Sequence, residues 1–147
     1  MLSNLFKILF RIRLKTFKAH TRRISALASS QDGLTVVSVS WDGECKIWSG
    51  RGHREISSLR PNDCPYNCLA YHPERDYVIT GDWNGLLKIF DLTSLERKAI
   101  LRGCHEGASI QDLKMAADAS LIISADIHGI ICIFDGKLFD VDQGMSI

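Results

Sequence analysis

The sequence predicts an all-β protein built from a repeated antiparallel hairpin, and three observations carry that prediction. The first is a strand–turn–strand stretch, Ser38-Val39-Ser40-Trp41-Asp42-Gly43-Glu44-Cys45-Lys46-Ile47-Trp48. Asp42-Gly43 reads as a two-residue hairpin loop, because Gly adopts φ > 0 freely and Asp tolerates it. The flanks, 35–40 and 44–48, are rich in β-branched and aromatic residues, which suit a pleated, packed surface. The second observation is recurrence. The stretch returns 42 residues on as Thr80-Gly81-Asp82-Trp83-Asn84-Gly85, and after another 44 as Ser124-Ala125-Asp126-Ile127-His128-Gly129. A hairpin returning at this period marks a repeat architecture. The third is register: Ile24 to Ser38, Tyr66 to Thr80 and Ile110 to Ser124 each span fourteen residues.

These repeats resemble the WD-repeat family of β-propellers over roughly residues 10–142. The first repeat carries the resemblance best, with Ala19-His20 for the family's Gly-His, Asp32-Gly33, the Ser-x-Ser-x-Asp-Gly run and a closing Trp48-Ser49. In the family a His, a Ser or Thr, an Asp and a Trp form a hydrogen-bonded chain across each blade. The resemblance implies that His20, Ser38, Asp42 and Trp48 form it here. The second repeat departs from the pattern with Asn62, Thr80, Asn84 and Phe90. The third offers Ser124, His128 and Phe134, with His105 one residue out of step. Only the first blade is therefore expected to hold the full polar chain. The expected fold is all-β: a partial WD-repeat β-propeller of three four-stranded antiparallel blades, which this chain alone does not close into a ring.

In chain order, residues 1–9 are an N-terminal extension that fits a strand or one face of a short helix. Residues 10–18 alternate apolar and basic side chains, as a strand does, and would form the outer strand of a preceding blade. Blade 1 is placed at 19–60, with strands at 24–28, 34–40, 44–48 and 55–60; Pro61 then closes it, since Pro cannot donate to a central ladder. Blade 2, at 61–103, has strands at 66–71, 77–81, 86–91 and 97–102. Blade 3, at 104–142, has strands at 110–115, 120–125 and 130–135, with a weaker one near 137–141. Residues 143–147 are a tail. Near-continuous apolar runs such as Leu121-Ile122-Ile123 fit strands buried on both faces, as stacked blades require.

Lys and Arg number 18 against 17 Asp and Glu, so no overall field points to nucleic acid or membrane. The balance is uneven along the chain. Residues 1–23 hold seven basic residues and no acid, leaving 11 basic against 17 acidic in the rest. Lys7 and Arg11 interrupt the apolar run that a signal peptide needs, and no stretch approaches a transmembrane helix, so no membrane partner is expected. Five cysteines, at 45, 64, 68, 104 and 132, are odd in number and mostly lie in strand-like runs. They predict reduced, packed thiols in a reducing compartment, the cytoplasm or alternatively the nucleus. Closed propellers have about four to eight blades, and three leave two apolar faces open, which a soluble monomer does not usually tolerate. A fragment of a longer WD-repeat polypeptide is the expectation; a truncated gene model or an oligomerising chain are the alternatives.

No phosphate-binding loop, nucleophile elbow or paired-His zinc motif occurs. His20, Ser38 and Asp42 offer the residue types of a hydrolytic triad, but their spacing is that of the family's structural chain. No catalytic residue and no cofactor are expected. Asp112, Asp126 and Asp135 read as turn or strand-end carboxylates. Cys64, Cys68 and His72, completed by Cys104-His105 or His53, have ligand-like spacing. A strand at about 3.3 Å per residue would hold 64, 68 and 72 some 13 Å apart at each step, so no metal site is assigned. A zinc-stabilised module stays as an alternative.

Binding remains. In the family, one rim of the ring, made by inner-strand starts and hairpin turns, is the usual docking surface. The resemblance places Arg23, Ser25 and Trp41, then Pro65, Asn67 and Trp83, then Ser109, Gln111 and Ile127 on that rim. Trp and Arg are the commonest interface anchors, and Trp41 and Trp83 should lie side by side. The expected function is a non-catalytic protein-interaction scaffold that docks a protein or peptide partner. The alternative from another class is RNA binding through the basic N-terminal region and Arg22-Arg23.

Overall fold

The computed structural model describes residues 15–59 and 61–137, and every one of their strands is antiparallel to its neighbours. Blade 1 is the sheet β1 (Ile24–Ser29), β2 (Thr35–Ser40), β3 (Cys45–Ser49) and β4 (Glu55–Ser58), paired in that order. Blade 2 repeats it with β5 (Tyr66–Tyr71), β6 (Tyr77–Asp82), β7 (Leu87–Asp91) and β8 (Glu96–Leu101). Blade 3 has β9 (Ile110–Met115), β10 (Leu121–Asp126) and β11 (Ile131–Asp135). The fourth strand expected near 137–141 lies outside the described residues apart from Lys137, whose N–H donates to the Asp135 carboxylate at 2.9 Å. The result is three stacked blades of a β-propeller that do not close into a ring.

Each of the eleven strands lies within one or two residues of its expected bounds, because the register and the glycine turns that predict these strands also fix which residues meet the next blade. Between blades 1 and 2, Val37, Val39, Cys45, Ile47 and Leu59 pack against Tyr66, Leu69, Val78 and Phe90. Between blades 2 and 3, Cys68, Ala70, Ile79, Leu87 and Ile89 pack against Ile110, Leu113 and Ile122. Burying a side chain of Val or Ile size contributes about 1.5–3 kcal/mol, so these two seams hold the blades in register.

Two expectations change. The hairpin loop has three residues rather than two: Gly43 N–H returns to Ser40 O at 3.2 Å, and Ser40 N–H donates to Glu44 O at 3.2 Å. Only Gly43 takes positive φ (81°), as Gly85 (76°) and Gly129 (83°) do in the later blades. This is a tight turn closed by a left-handed glycine, and it makes Trp41 the first loop residue. The other concerns the outer strand expected at 10–18: residues 10–14 lie outside the described residues, and the described part, 15–18, forms no strand. Phe17 instead lies against Trp48, with centroids 4.9 Å apart, and Lys15 Nζ donates to His53 O at 2.7 Å.

Candidate functional site

The rim is organised by one hydrogen bond repeated in each blade. The turn residue that follows the second strand of each blade gives its N–H to the carbonyl two positions before the bulge of the inner strand: Trp41 to Arg23 (3.0 Å), Trp83 to Pro65 (3.1 Å) and Ile127 to Ser109 (3.0 Å). Each inner strand also begins with a β-bulge. Its ladder skips Ser25 in β1, Asn67 in β5 and Gln111 in β9, and a bulge re-aims the extra side chain. Turn residues and bulge residues are thereby brought to one edge of all three blades.

An open groove of about 460 Å3 runs along this edge, lined by Arg23, Ser25, Trp41, Asn67, Trp83, Ser109, Gln111 and Ile127. Pro65 does not line it and contributes only its carbonyl, to Trp83. The two indoles meet edge to face, with centroids 5.3 Å apart and planes at 72°. The Arg23 guanidinium sits 4.9 Å from the Trp41 ring centroid, a cation–π arrangement. Trp83 is 42% and Ile127 61% exposed. Asn67 is fully engaged: Oδ1 accepts both indole N–H groups, from Trp41 at 3.1 Å and Trp83 at 2.8 Å, while Nδ2 donates to Ser109 Oγ (2.8 Å) and Ile110 O (3.1 Å). It therefore builds the groove and has no capacity left for a ligand. Arg23, Trp83, Gln111 and Ile127 are the exposed residues along the groove.

The polar chain of blade 1 is the hydrogen-bonded series the family pattern implies. His20 Nδ1 meets the Asp42 carboxylate at 3.0 Å, His20 Nε2 meets Ser38 Oγ at 2.7 Å, and Trp48 Nε1 donates to Ser38 Oγ at 2.8 Å. Burial opposes the charge of Asp42, but the N–H groups of Glu44 and Thr21, the Ser40 hydroxyl and His20 outweigh it and lower its pKa to about 2. These groups already satisfy one another, so the triad-like residue types sit in a closed structural network.

Blades 2 and 3 hold networks that the residue pattern hid, because their carboxylate lies two residues earlier than in blade 1. In blade 3, His105 joins Asp126 (2.9 Å) and Ser124 (2.7 Å), so it takes the place of His20 although it stands one residue further from its serine. Asp126, expected to be a mere turn carboxylate, is the acidic member in place of His128. Burial of Asp126 is outweighed by the Ile130 N–H, His105 and the His128 N–H, which lower its pKa. Blade 2 substitutes a buried ion pair: Lys88 Nζ lies 2.7 Å from Asp82 Oδ2 and 2.5 Å from Asn62 Oδ1. Asp82 also accepts from the N–H groups of Asn84 and Leu86. A carboxylate two residues after a strand Ser or Thr was the overlooked signal.

Among the described residues, one group of three potential metal ligands converges: His20, Asp42 and Glu44. The Cys64, Cys68 and His72 set does not. Cys68 is buried in the seam between blades 2 and 3, where burial raises its pKa to about 12; Cys64 contacts Asn62, and His72 Nδ1 accepts from Glu74 N–H. All five cysteines are free thiols. No helix among the described residues is long and apolar enough to cross a membrane.

A family model described as "WD domain, G-beta repeat" (WD40) matches residues 11–49 and 51–91. Telomerase protein component 1 of Rattus norvegicus is 28% identical over 115 residues, covering 78% of this chain and 4% of that protein. Target of rapamycin complex subunit wat1 of Schizosaccharomyces pombe is 26% identical over 118 residues, covering 79% of this chain and 36% of its own. Guanine nucleotide-binding protein subunit beta of Dictyostelium discoideum is 25% identical over 137 residues, covering 90% and 37%. This chain thus spans between 4% and 37% of the length of these three relatives. Among solved structures, the computationally designed Ika4 protein is similar in fold, with a TM-score of 0.68 and 21% identity over 80% of this chain and 69% of that one.

Proposed function

The chain belongs to the WD40 family, and from that premise we propose that it is a non-catalytic scaffold that docks a protein partner along its rim groove. The observation that carries this reading is the aromatic pair Trp41 and Trp83, with the Arg23 guanidinium stacked at 4.9 Å, along an open groove. Trp and Arg dominate binding energy at protein interfaces. An extended peptide with an apolar side chain against Trp83 and Ile127 and a carboxylate on Arg23 matches the groups presented there. Two of the similar proteins are named as subunits, one of a complex, which supports a scaffold role. The polar networks of the three blades are internally paired, which supports a structural rather than a catalytic use of His20, His105 and their carboxylates. Five free thiols support a reducing location, the cytoplasm with the nucleus as the alternative.

The test uses Trp83→Ala and Arg23→Glu, because Trp41 also holds Asn67 across the seam between blades. Partners captured from cell lysate by the wild-type chain are identified, and a synthetic peptide from the captured partner is titrated against each variant. Trp83→Ala is expected to weaken binding by about 30-fold, the equivalent of about 2 kcal/mol, with an unchanged melting curve. Unchanged affinity in both variants would move the docking surface elsewhere. Binding that drops about a thousand-fold between 50 and 200 mM salt would instead favour RNA and the Arg22-Arg23 region.

A further inference from the structure

The bulge residues carry a second regularity, directed from one blade to the next. Ser25 Oγ donates to the carbonyl of Tyr66, the first residue of β5, at 2.6 Å. Asn67 Nδ2 donates to the carbonyl of Ile110, the first residue of β9, at 3.1 Å. Gln111 is the third member of the series. Its side chain is exposed and its Nε2 turns back to Ser109 of its own strand start, at 3.1 Å from Oγ. The matching acceptor, the carbonyl opening an inner strand, is that of Ile24 in β1. One open face of the stack thus carries the donor and the other carries the acceptor.

The apolar residues divide in the same way. The face of blade 1 that meets blade 2 uses Val37, Cys45 and Ile47; their counterparts in blade 3 are Ile123, Ile131 and Ile133, which are 37%, 65% and 65% exposed. The face of blade 2 that receives them uses Tyr66 and Leu69; their counterparts in blade 1 are Ile24 and Leu27, 42% and 65% exposed. These are the two halves of a seam that already occurs twice inside the chain. One departure sits on the inner strand, where Asp112 and Lys114 replace the small Ala26, Ala28, Cys68 and Ala70. They pair with each other at 3.2 Å, so the face brings no net charge into a seam.

We propose that a second copy of this chain covers both faces, head to tail, and closes a ring of six blades. The two halves lie on opposite ends of the stack, so one copy cannot join its own. Two copies related by a two-fold axis make the seam twice, with Gln111 of each reaching Ile24 O of the other. Six blades fall within the four to eight that closed propellers use, and closed two-fold assemblies are the commonest among oligomers.

The experiment is light scattering behind size exclusion on the 147-residue chain over a hundred-fold range of concentration. The expected mass is about twice 16.5 kDa, with no larger species. Ile133→Asp and Leu27→Asp should each return the single-chain mass, because each removes one half of both seams. An equimolar mixture of the two should regain the two-chain mass through its one unaltered seam. Gln111→Ala, which changes only exposed polar atoms, should raise the dissociation constant by about tenfold. The wild-type mass and Gln111→Ala decide the matter even where an Asp variant misfolds. A wild-type chain at single-chain mass throughout, or one whose mass grows without limit, would overturn the proposal. So would a dimer that survives Leu27→Asp, since that is the mark of one face pairing with itself.

Discussion

Trp41 and Trp83, from adjacent blades, give their indole N–H groups to the same oxygen, Asn67 Oδ1, at 3.1 and 2.8 Å. One side chain therefore sets the angle between the two rings and ties blade 1 to blade 2, while its amide nitrogen reaches blade 3. Asn67→Leu is expected to leave two indole donors without their acceptor and to cost about 1–3 kcal/mol. Asn67→Asp keeps the acceptor and should lose less. Urea denaturation of both variants checks the order; equal losses would mean that the indole bonds contribute nothing.

The networks inside the blades give a second ordering. Asp42→Ala, Asp82→Ala and Asp126→Ala each strip a buried partner from His20, Lys88 or His105. Removing one member of a buried pair costs about 3–5 kcal/mol where the other charge is left uncompensated, and Asp82 faces such a charge in Lys88. We expect Asp82→Ala to destabilise most, Asp42→Ala and Asp126→Ala by about 1–3 kcal/mol as for an orphaned hydrogen-bonding group, and Asn84→Ala and His128→Ala least. Urea melts of the five variants test this. Equal losses at Asp126 and His128 would return the acidic role to the turn.

The contrast between strands and networks shows what this sequence discloses. Strand positions were legible because apolar, β-branched runs repeated at a fourteen-residue register leave one solution, and eight of the nine rim residues that the family resemblance implied line one groove. The networks were less legible because hydrogen-bond geometry is satisfied in space. Asp82 and Asp126 reach the same pocket as Asp42 from two residues earlier in the chain, and Lys88 replaces an imidazole with an ammonium. The spacing of Asp82 from Thr80 and of Asp126 from Ser124 stands in the sequence but differs from that of Asp42 from Ser38, and nothing in it announces the exchange at Lys88. The roles of Ser25, Asn67 and Gln111 as bulge residues were equally hidden, since a bulge appears only when both strands of the ladder are aligned.

Acid should act first through the carboxylates of blades 1 and 3. Asp42 is lowered to about 2 and Asp126 is also lowered, both below the usual unfolded value of about 3.9. A carboxyl whose folded pKa lies below its unfolded one contributes stability that is complete above the unfolded value and is lost as pH falls through the folded one. Stability should therefore decline from about pH 4 toward pH 2. Asp42→Asn and Asp126→Asn should each flatten that decline while lowering stability at pH 7. Urea midpoints at pH 7, 5, 4, 3 and 2 measure it; an unchanged slope in both variants would place the acid sensitivity in other groups, such as Asp32 and Asp118, which are also lowered.

The seam between blades 2 and 3 depends on the absence of one side chain. Gly81 lies in β6 at the position held by Val39 in blade 1 and Ala125 in blade 3. A Cβ there would fall 2.5 Å from Cys68 Sγ and 2.9 Å from Ile110 Cγ2, and both neighbours are buried, 4% and 0% exposed. Gly81 has no positive φ, so backbone strain does not enter. Replacing a strand glycine by alanine ordinarily gains about 0.5–1 kcal/mol from backbone entropy. Overpacking a filled core costs about 1–3 kcal/mol, and at these distances the clash should win. Gly81→Ala is therefore expected to be net destabilising, and Cys68→Ala, which removes the nearest atom, should reduce that loss in the double variant. A double-mutant cycle by urea denaturation gives the coupling directly. Additive losses would show that Cys68 does not set the limit, and a stabilised Gly81→Ala would mean that the seam has room its geometry denies.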